Sequence, residues 1–359
     1  MTNTNKLKIM AAMSGGVDSS VAAYLLKKQG YDVAGVTFIM TDMENSGENN
    51  VSMAAAVCAN IGIPHHVCAR ESDFERHVIE PFVCAYENGL TPNPCVECNK
   101  FVKIPSALDF ANLSGFGGAA TGHYVRTERD SSTGRVLLKK AIDQTKDQSY
   151  VLWTLTQDML QKLHFPLGGM TKDEIREIAH EQKLASANQK DSQDICFIPG
   201  GDYAAFIARY RRNAPEKGSY ISSNGEVIGV HSGQSNYTIG QRKGLGMSFG
   251  KHMYVIAKDA QANTVTLDSE NPDGSEPRSL YTTVVKAKKI NLIACDNVSS
   301  PIKIHAKVRY RQVESPATAE QTGADELTVT FDASQRAISR GQSLVMYDGD
   351  TIIGGGEIL

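Results

Sequence analysis

Three groups of residues in this 359-residue chain have types and spacings that can do chemistry. Ser14-Gly15-Gly16-Val17-Asp18-Ser19-Ser20 packs two glycines, three hydroxyls and a carboxylate into seven positions. Glycines there can take positive φ and leave no Cβ in the way, so backbone N–H groups can face a ligand. A helix starting at Val17 adds unpaired N–H donors and the positive end of its dipole, which together grip phosphate. Asp18 is suited to a hydrated Mg²⁺ bridging phosphate oxygens. Cys95 and Cys98 follow Pro92 and Pro94, whose fixed φ and missing donors predict a stiff loop that holds a sulfur in place. Cys196 stands alone between polar residues and Phe197-Ile198. A thiol reacts as its thiolate, with an ordinary pKa of about 8.5 that helix N-termini and Lys100 could lower here. Structural zinc would need a second Cys/His pair, and only Cys196 offers itself.

The elements that must position these groups alternate. Ile9–Met13 reads as a buried strand, and Val17, Val21, Tyr24 and Leu25 fall at helical spacing after it. Asp32–Met40 reads as a second strand, with Phe38 near its end, placed either for the core or for stacking on a base. A polar loop around Glu44–Gly47 follows, then a helix face at Ala54, Val57, Cys58 and Ile61, and a third strand from Pro64. This βαβαβ order calls for a parallel sheet, with ligands beyond the carboxyl ends of its strands. Residues 71–88 predict a helix with Phe74, Val78, Phe82 and Ala85 in register. Gly117–Ala120 predicts a fourth strand, after which Gly122 permits a close backbone approach and His123 stands at the strand's end. Arg135–Lys140 is one arm of a hairpin, Lys146–Tyr150 opens a helical stretch, and Thr171-x-x-Glu174 is a capping box.

Beyond Gly200 the composition shifts to glycine and β-branched residues. Arg209, Arg211, Arg212 and Lys217 cluster near its start, and Tyr237–Gly246 is basic and glycine-rich, suiting either phosphate contacts or a plain hairpin. Ile302, Ile304, Ala306, Val308 and Tyr310 alternate with Lys303, His305, Lys307, Arg309 and Arg311, so one face buries in a small barrel and the other is a basic stripe, either a solvated charged face or, as the absence of acids in a net acidic protein favours, a nucleic-acid surface.

Apolar residues at 41% and charged at 21% describe an ordinary globular protein. A net charge of −3 gives no global attraction to nucleic acid or anionic membrane, so a polyanion needs a local patch. No apolar run is long enough to cross a bilayer, and the polar N-terminus lacks a signal-peptide core, which makes cytoplasm the expected location. Seven cysteines argue against a disulfide framework, and Cys58, Cys68, Cys84 and Cys295 are expected to be buried fillers.

The loop at Ser14–Ser20 resembles the pyrophosphate loop of the N-type ATP pyrophosphatases. Nearly end to end, the chain resembles the tRNA-specific 2-thiouridylases. The likeness rests on that loop, Thr91–Pro94 with Cys98-Asn99, Gly122-His123-Tyr124, Lys146–Tyr150, Cys196-Phe197, Gly240–Gly246 and Arg309-Tyr310-Arg311. The resemblance implies an α/β fold in three parts. These are a parallel-sheet ATP-pyrophosphatase domain at 1–200 with a helical tRNA-contacting part at about 146–185, a small mixed β domain at 201–275, and a β-barrel at 276–359. It implies ATP on Ala12, Met13, Ser14, Gly15, Gly16, Val17, Asp18 and Ser19, with Phe38 and Gly122. Asn93, Pro94 and Cys95 would line the base pocket, with His123 at the base. Lys146, Asp147, Gln148, Arg309, Tyr310 and Gln342 would touch tRNA. By the same likeness Cys196 carries a persulfide, and Cys98 closes a transient disulfide with it after the wobble uridine is adenylated on its C2 oxygen. The implied partners are tRNA and a sulfur-relay protein or cysteine desulfurase, acting on a monomer with no membrane. Some members have Asp where this chain has Cys95, so an alternative is a [4Fe–4S] cluster on Cys95, Cys98 and Cys196 that delivers sulfide. A different ligase with the same loop would share residues 1–70 and would not need the thiols. A non-catalytic RNA-binding protein would leave the loop idle.

Overall fold

The computed structural model describes residues 7–41, 46–189 and 194–359, with only the backbone at 46–48. The N-terminal six residues, part of the polar loop at 44–47 and Lys190–Gln193 lie outside these. The chain opens with β1 (Lys8–Ala12), α1 (Val17–Lys28), β2 (Asp32–Ile39), α2 (Ser46–Ile61) and β3 (His65–Ala69). Then come α3 (Glu71–Phe74), a π turn (Glu75–Ile79), α4 (Glu80–Glu87), α5 (Pro94–Cys98), a second π turn (Asn99–Lys103) and α6 (Ile104–Leu113). The domain continues through β4 (Gly118–Ala120), the hairpin β5 (Val125–Arg129) and β6 (Val136–Lys140), α7 (Gln157–Leu160), β7 (Leu163–His164) and α8 (Lys172–Glu181). Five strands form a parallel sheet in the order β3-β2-β1-β4-β7. This is the layered α/β arrangement that the alternation predicts.

Both π turns precede a proline, Pro81 and Pro105, near the start of the next helix. A proline inside a helical run has no N–H to give, and its ring presses on the carbonyl four residues back, His77 or Phe101. The turn widens to accommodate it. The extra residue shifts the register of the first run, so Tyr86 rather than Ala85 joins Phe74, Val78 and Phe82 in the core. The expected stiff loop is also shorter than predicted. Pro94 occupies the start of α5, where its missing N–H costs nothing, and Asn93 caps the backbone N–H of Cys95 at 3.2 Å. Cys95 and Cys98 therefore sit on a helix. Similarly, Lys146–Tyr150 is mostly turn, with a short 3₁₀ segment from Ser149 to Leu152.

The central part holds α9 (Tyr203–Arg211) and β8 (Gly218–Ser222), β9 (Val227–His231), β10 (Met253–Asp259) and β11 (Thr264–Ser269). Its sheet is mixed, ordered β10-β11-β8-β9, with β11 parallel to β8. Arg211 leaves the expected basic cluster to pair with Glu80 at 3.0 Å and Glu87 at 2.9 Å.

The last part holds β12 (Tyr281–Leu292), β13 (Ile302–Lys307), β14 (Ser315–Gly323), β15 (Glu326–Arg336), β16 (Ser343–Asp348) and β17 (Thr351–Ile358). β12 pairs with β17, which closes the six strands into a barrel, and the hairpin β5–β6 extends it from β17. The basic stripe is shorter than the alternation predicts, because β13 ends at Lys307. Tyr310 then points out, and the Arg309 guanidinium turns back to the carbonyls of Arg336 and Ala337.

Sheet, hairpin and barrel share one core, in which Met10, Val36, Leu138, Tyr150, Trp153, Val345, Tyr347 and Ile352 are buried together. Trp153 Nε1 donates to Ser343 Oγ at 3.0 Å and Tyr150 Oη to the Ser343 carbonyl at 2.7 Å. Trp153→Ala is expected to cost about 3–5 kcal/mol, as for other buried aromatic truncations, and to lower the denaturation midpoints of sheet and barrel together. Loss in only one of the two, followed by hydrogen exchange, would show that the core is not shared.

Candidate active site

β1 has β2 on one side and β4 on the other, so the crossovers diverge between β1 and β4 and open a crevice at their carboxyl ends. The glycine loop lies there. Gly15 has φ +76°, and a Cβ on it would stand 2.7 Å from the Asn50 carbonyl oxygen. Gly16, expected to share that freedom, is instead extended at φ −85° and caps α1 without a side chain. The first-turn N–H groups of α1 thus have no side-chain cap and are left for an anion. Two serines hold the loop itself. Ser19 Oγ accepts from the Ser14 N–H and donates to the Gly16 carbonyl, both at 3.1 Å, and Ser20 Oγ donates to the same carbonyl at 2.8 Å. A Cβ at Gly122 would lie 2.8 Å from the Ser19 nitrogen, so the end of β4 presses on the helix start. Val17 and Met13 are buried, while Ala12 and Phe38 are half-buried against the core.

Asp18 Oδ1 accepts from Tyr124 Oη at 2.6 Å and from buried Lys172 Nζ at 2.7 Å. Sequence reasoning missed Lys172; its signal was its place directly after the capping-box Thr171, at the start of α8. With both donors on one oxygen, the other carboxylate oxygen can take a cation, which fits Mg²⁺ held by one carboxylate and phosphate oxygens.

Cys98 is buried in a cluster with Phe74, Val78, Val102, Phe197, Ile198 and Phe206. Phe197 meets Phe74 and Phe82 edge-on, with ring centroids at 5.6 and 5.4 Å. This anchor sets Cys196 beside Cys98 and Cys95, close enough for the three thiols to act on one another electrostatically. All seven cysteines are free thiols. Cys95 and Cys196 keep exposed surface although protein surrounds them on most sides. Burial pushes all three thiols above their ordinary value, Cys196 to about 11. The cation that opposes this is Lys103, whereas Lys100, expected to do so, lies over the Phe101 ring at 4.9 Å. Of the four expected fillers only Cys58 is fully buried. Among the described residues, no three His, Cys, Asp or Glu side chains gather as metal ligands. The three thiols as placed are therefore not the ligand set that zinc or a [4Fe–4S] cluster requires.

The residues expected at tRNA fall into two kinds. Buried His123 bonds Thr121 Oγ1 through Nδ1 at 2.8 Å, and burial, then Lys103, pushes it down to about 3, so it is neutral. Tyr310 is partly exposed, donates to the Asp147 carbonyl at 3.2 Å, and its charge and that of Cys95 act on one another. This brings Lys146, Asp147 and Gln148 to the thiol side of the molecule. The side chains of Asp147, Gln148 and Gln342 are used internally. Asp147 accepts from Ser149 Oγ at 2.6 Å, Gln148 from the Tyr124 N–H at 2.9 Å, and Gln342 donates to the Thr91 carbonyl at 2.8 Å. Arg309, as above, is turned inward. The basic loop at 237–246 contributes to a cavity of about 650 Å³ lined by Arg242, Gly244, Phe249, Lys251, His252 and Glu270 among others, none of them a thiol-site residue.

An anion-gripping loop at the switch point of a parallel sheet, followed by a mixed β domain and a closed barrel, defines a HUP-type nucleotide-binding protein with two β modules. Family models match in the same order: a tRNA methyl transferase HUP domain at residues 7–200, a tRNA methyl transferase PRC-barrel domain at 204–268 and an aminomethyltransferase beta-barrel domain at 282–358. The tRNA-specific 2-thiouridylase MnmA of Clostridioides difficile is 44% identical over 98% of this chain and 98% of its own. That of Acetivibrio thermocellus is 41% identical over 99% of both, and that of Koribacter versatilis 40% over 98% of both. The chain belongs to the tRNA-specific 2-thiouridylase (MnmA) family.

The two loop glycines separate backbone strain from ligand access. Gly15→Ala places a side chain in the left-handed region, at about 1–2 kcal/mol before the clash with Asn50, and is expected to lower thermal stability. Gly16→Ala meets nothing closer than Ser14 Oγ at 3.5 Å and should keep the parent melting temperature while weakening ATP binding measured by calorimetry. Equal melting losses in both variants would refute this division.

Proposed function

We propose that this protein replaces the C2 oxygen of a tRNA uridine, at the wobble position, with sulfur in an ATP-driven reaction. What carries the reading is one juxtaposition. The phosphate loop touches Gly122, His123 feels the same lysine as the thiols, and Cys196 is anchored beside Cys98.

The uridine C2 oxygen attacks the α-phosphorus of ATP, an O–P bond forms, and pyrophosphate leaves from the N-terminus of α1. Bound Mg²⁺ would neutralise phosphate charge, with Asp18 as its protein ligand. The adenylated oxygen is now a good leaving group. The terminal sulfur of a Cys196 persulfide adds to C2. Cys98 thiolate then attacks Cys196 Sγ, breaking the persulfide S–S bond, leaving sulfur on C2 and expelling AMP. The resulting Cys98–Cys196 disulfide takes two electrons from a thiol reductant to reset. Neutral His123 can offer the base a hydrogen bond without adding charge. On this reading the partners are tRNA and a persulfide donor, a relay protein or cysteine desulfurase, and the enzyme works as a cytoplasmic monomer.

The descriptions of two family models name methyl transfer and those of the relatives name 2-thiolation; the paired thiols favour the latter. Purified protein with Mg·ATP, wobble-uridine tRNA and a persulfide donor is expected to form 2-thiouridine, read by nucleoside mass spectrometry. Cys98→Ser and Cys196→Ser should each reduce that product to background while tRNA-dependent pyrophosphate release continues. Full turnover in the double variant would mark a ligase that makes no use of sulfur.

A further inference from the structure

Lys103 is absent from every motif that singled out this site, yet its surroundings are those of a counter-ion. It closes the π turn Asn99–Lys103, five residues after Cys98. In an α-helix a residue five positions on points about 140° away. A π turn, with its i→i+5 bonding, brings the two onto one side. The Lys103 charge and backbone both favour the Cys98 anion against its burial, and the lysine side chain is half-buried. Among the described residues the ammonium has no hydrogen-bond or ion-pair partner, while its charge acts on Cys95 and Cys98 of α5, on Cys196, and on His123 beyond β4. From the barrel, Tyr310 acts on Cys95 and has the charges of Asp147 and Arg311 acting on it. The groups on which Lys103 acts carry no negative charge at neutral pH, since the thiols are protonated and the imidazole is neutral. A half-buried cation without a partner is attracted to any anion that joins it more strongly than it would be in open water.

We propose that Lys103 is a positioning residue that holds the sulfur anion at this site, the Cys98 thiolate or the terminal sulfur on Cys196, for attack. The proposal rests on the thiolation reading for its purpose, but the electrostatic claim can be tested without tRNA. Iodoacetamide alkylates the thiolate, forming an S–C bond and releasing iodide, so the pH profile of its rate reports thiolate formation at each cysteine. Peptide mass spectrometry resolves Cys95, Cys98 and Cys196.

Removing the opposite charge that acts on it should move the Cys98 profile upward by about one pH unit, a roughly tenfold slower reaction at fixed pH below the plateau. Lys103→Gln is expected to show that shift at an unchanged melting temperature, and Lys103→Arg to restore the parent profile. Should Lys103→Gln not fold, Lys103→Met keeps the aliphatic stem and carries the same comparison. A neutral variant whose Cys98 profile overlays the parent overturns the proposal, as does a shift that Lys103→Arg fails to rescue. A shift in protein that makes no 2-thiouridine leaves Lys103 as the counter-ion and removes the thiolation reading. An unshifted profile in protein that does make it removes Lys103 alone.

Discussion

Everything at this site depends on how closely two backbones meet between β1 and β4. The first turn of α1 lies so close to Gly122, two residues past the end of β4, that a Cβ there would stand 2.8 Å from the Ser19 nitrogen, and only hydrogen fits. That contact fixes His123 relative to the phosphate loop, and His123 in turn lies within the field of Lys103, which also acts on the thiols. A side chain at position 122 would push the phosphate loop away from the end of β4 and from His123. The serines make the same point from the other side, since their hydroxyls are spent on keeping the loop's shape and leave anion contacts to backbone N–H groups.

The barrel supports this arrangement from a distance in sequence. Gln342 and the Arg340 carbonyl hold the backbone at Thr91, just before the two prolines that lead into α5. Asn291 Nδ2 donates to the Trp153 carbonyl at 2.7 Å, and Asn99 Nδ2 to the Val151 carbonyl at 3.1 Å. The helix carrying Cys95 and Cys98 is therefore braced at both ends, by barrel contacts before it and by the Tyr150–Trp153 segment after it. Gln342, by this geometry, orders the loop before it meets any RNA.

Much of this was legible in the sequence. Alternating apolar runs gave the parallel sheet, and the Thr171–Glu174 spacing gave a cap that the structure forms in full. The glycine loop and the thiols were legible because their residue types are rare in combination. What stayed hidden was register. Nothing in a hydrophobic period announces that Pro81 and Pro105 widen the turns before them, and that widening moves Tyr86 into the core and Lys103 onto the Cys98 side. The basic stripe misled for a related reason, because strict alternation continues in the letters past Lys307 while the strand does not. Lys172 was hidden because its partner, Asp18, is 154 positions away.

The thiols pose a conflict that the fold resolves in a definite way. Surrounding protein that holds back water would slow hydrolysis of any reactive intermediate, but the same desolvation favours neutral thiols over the nucleophilic anions. Placing an acidic partner nearby would worsen this, and a fully buried lysine would itself lose its charge. A half-buried ammonium on a widened turn avoids both, since it keeps contact with solvent while facing the sulfurs. The histidine beside it stays neutral, through its own burial first and then through that charge, so the lysine faces neutral groups until a sulfur anion or phosphate joins it.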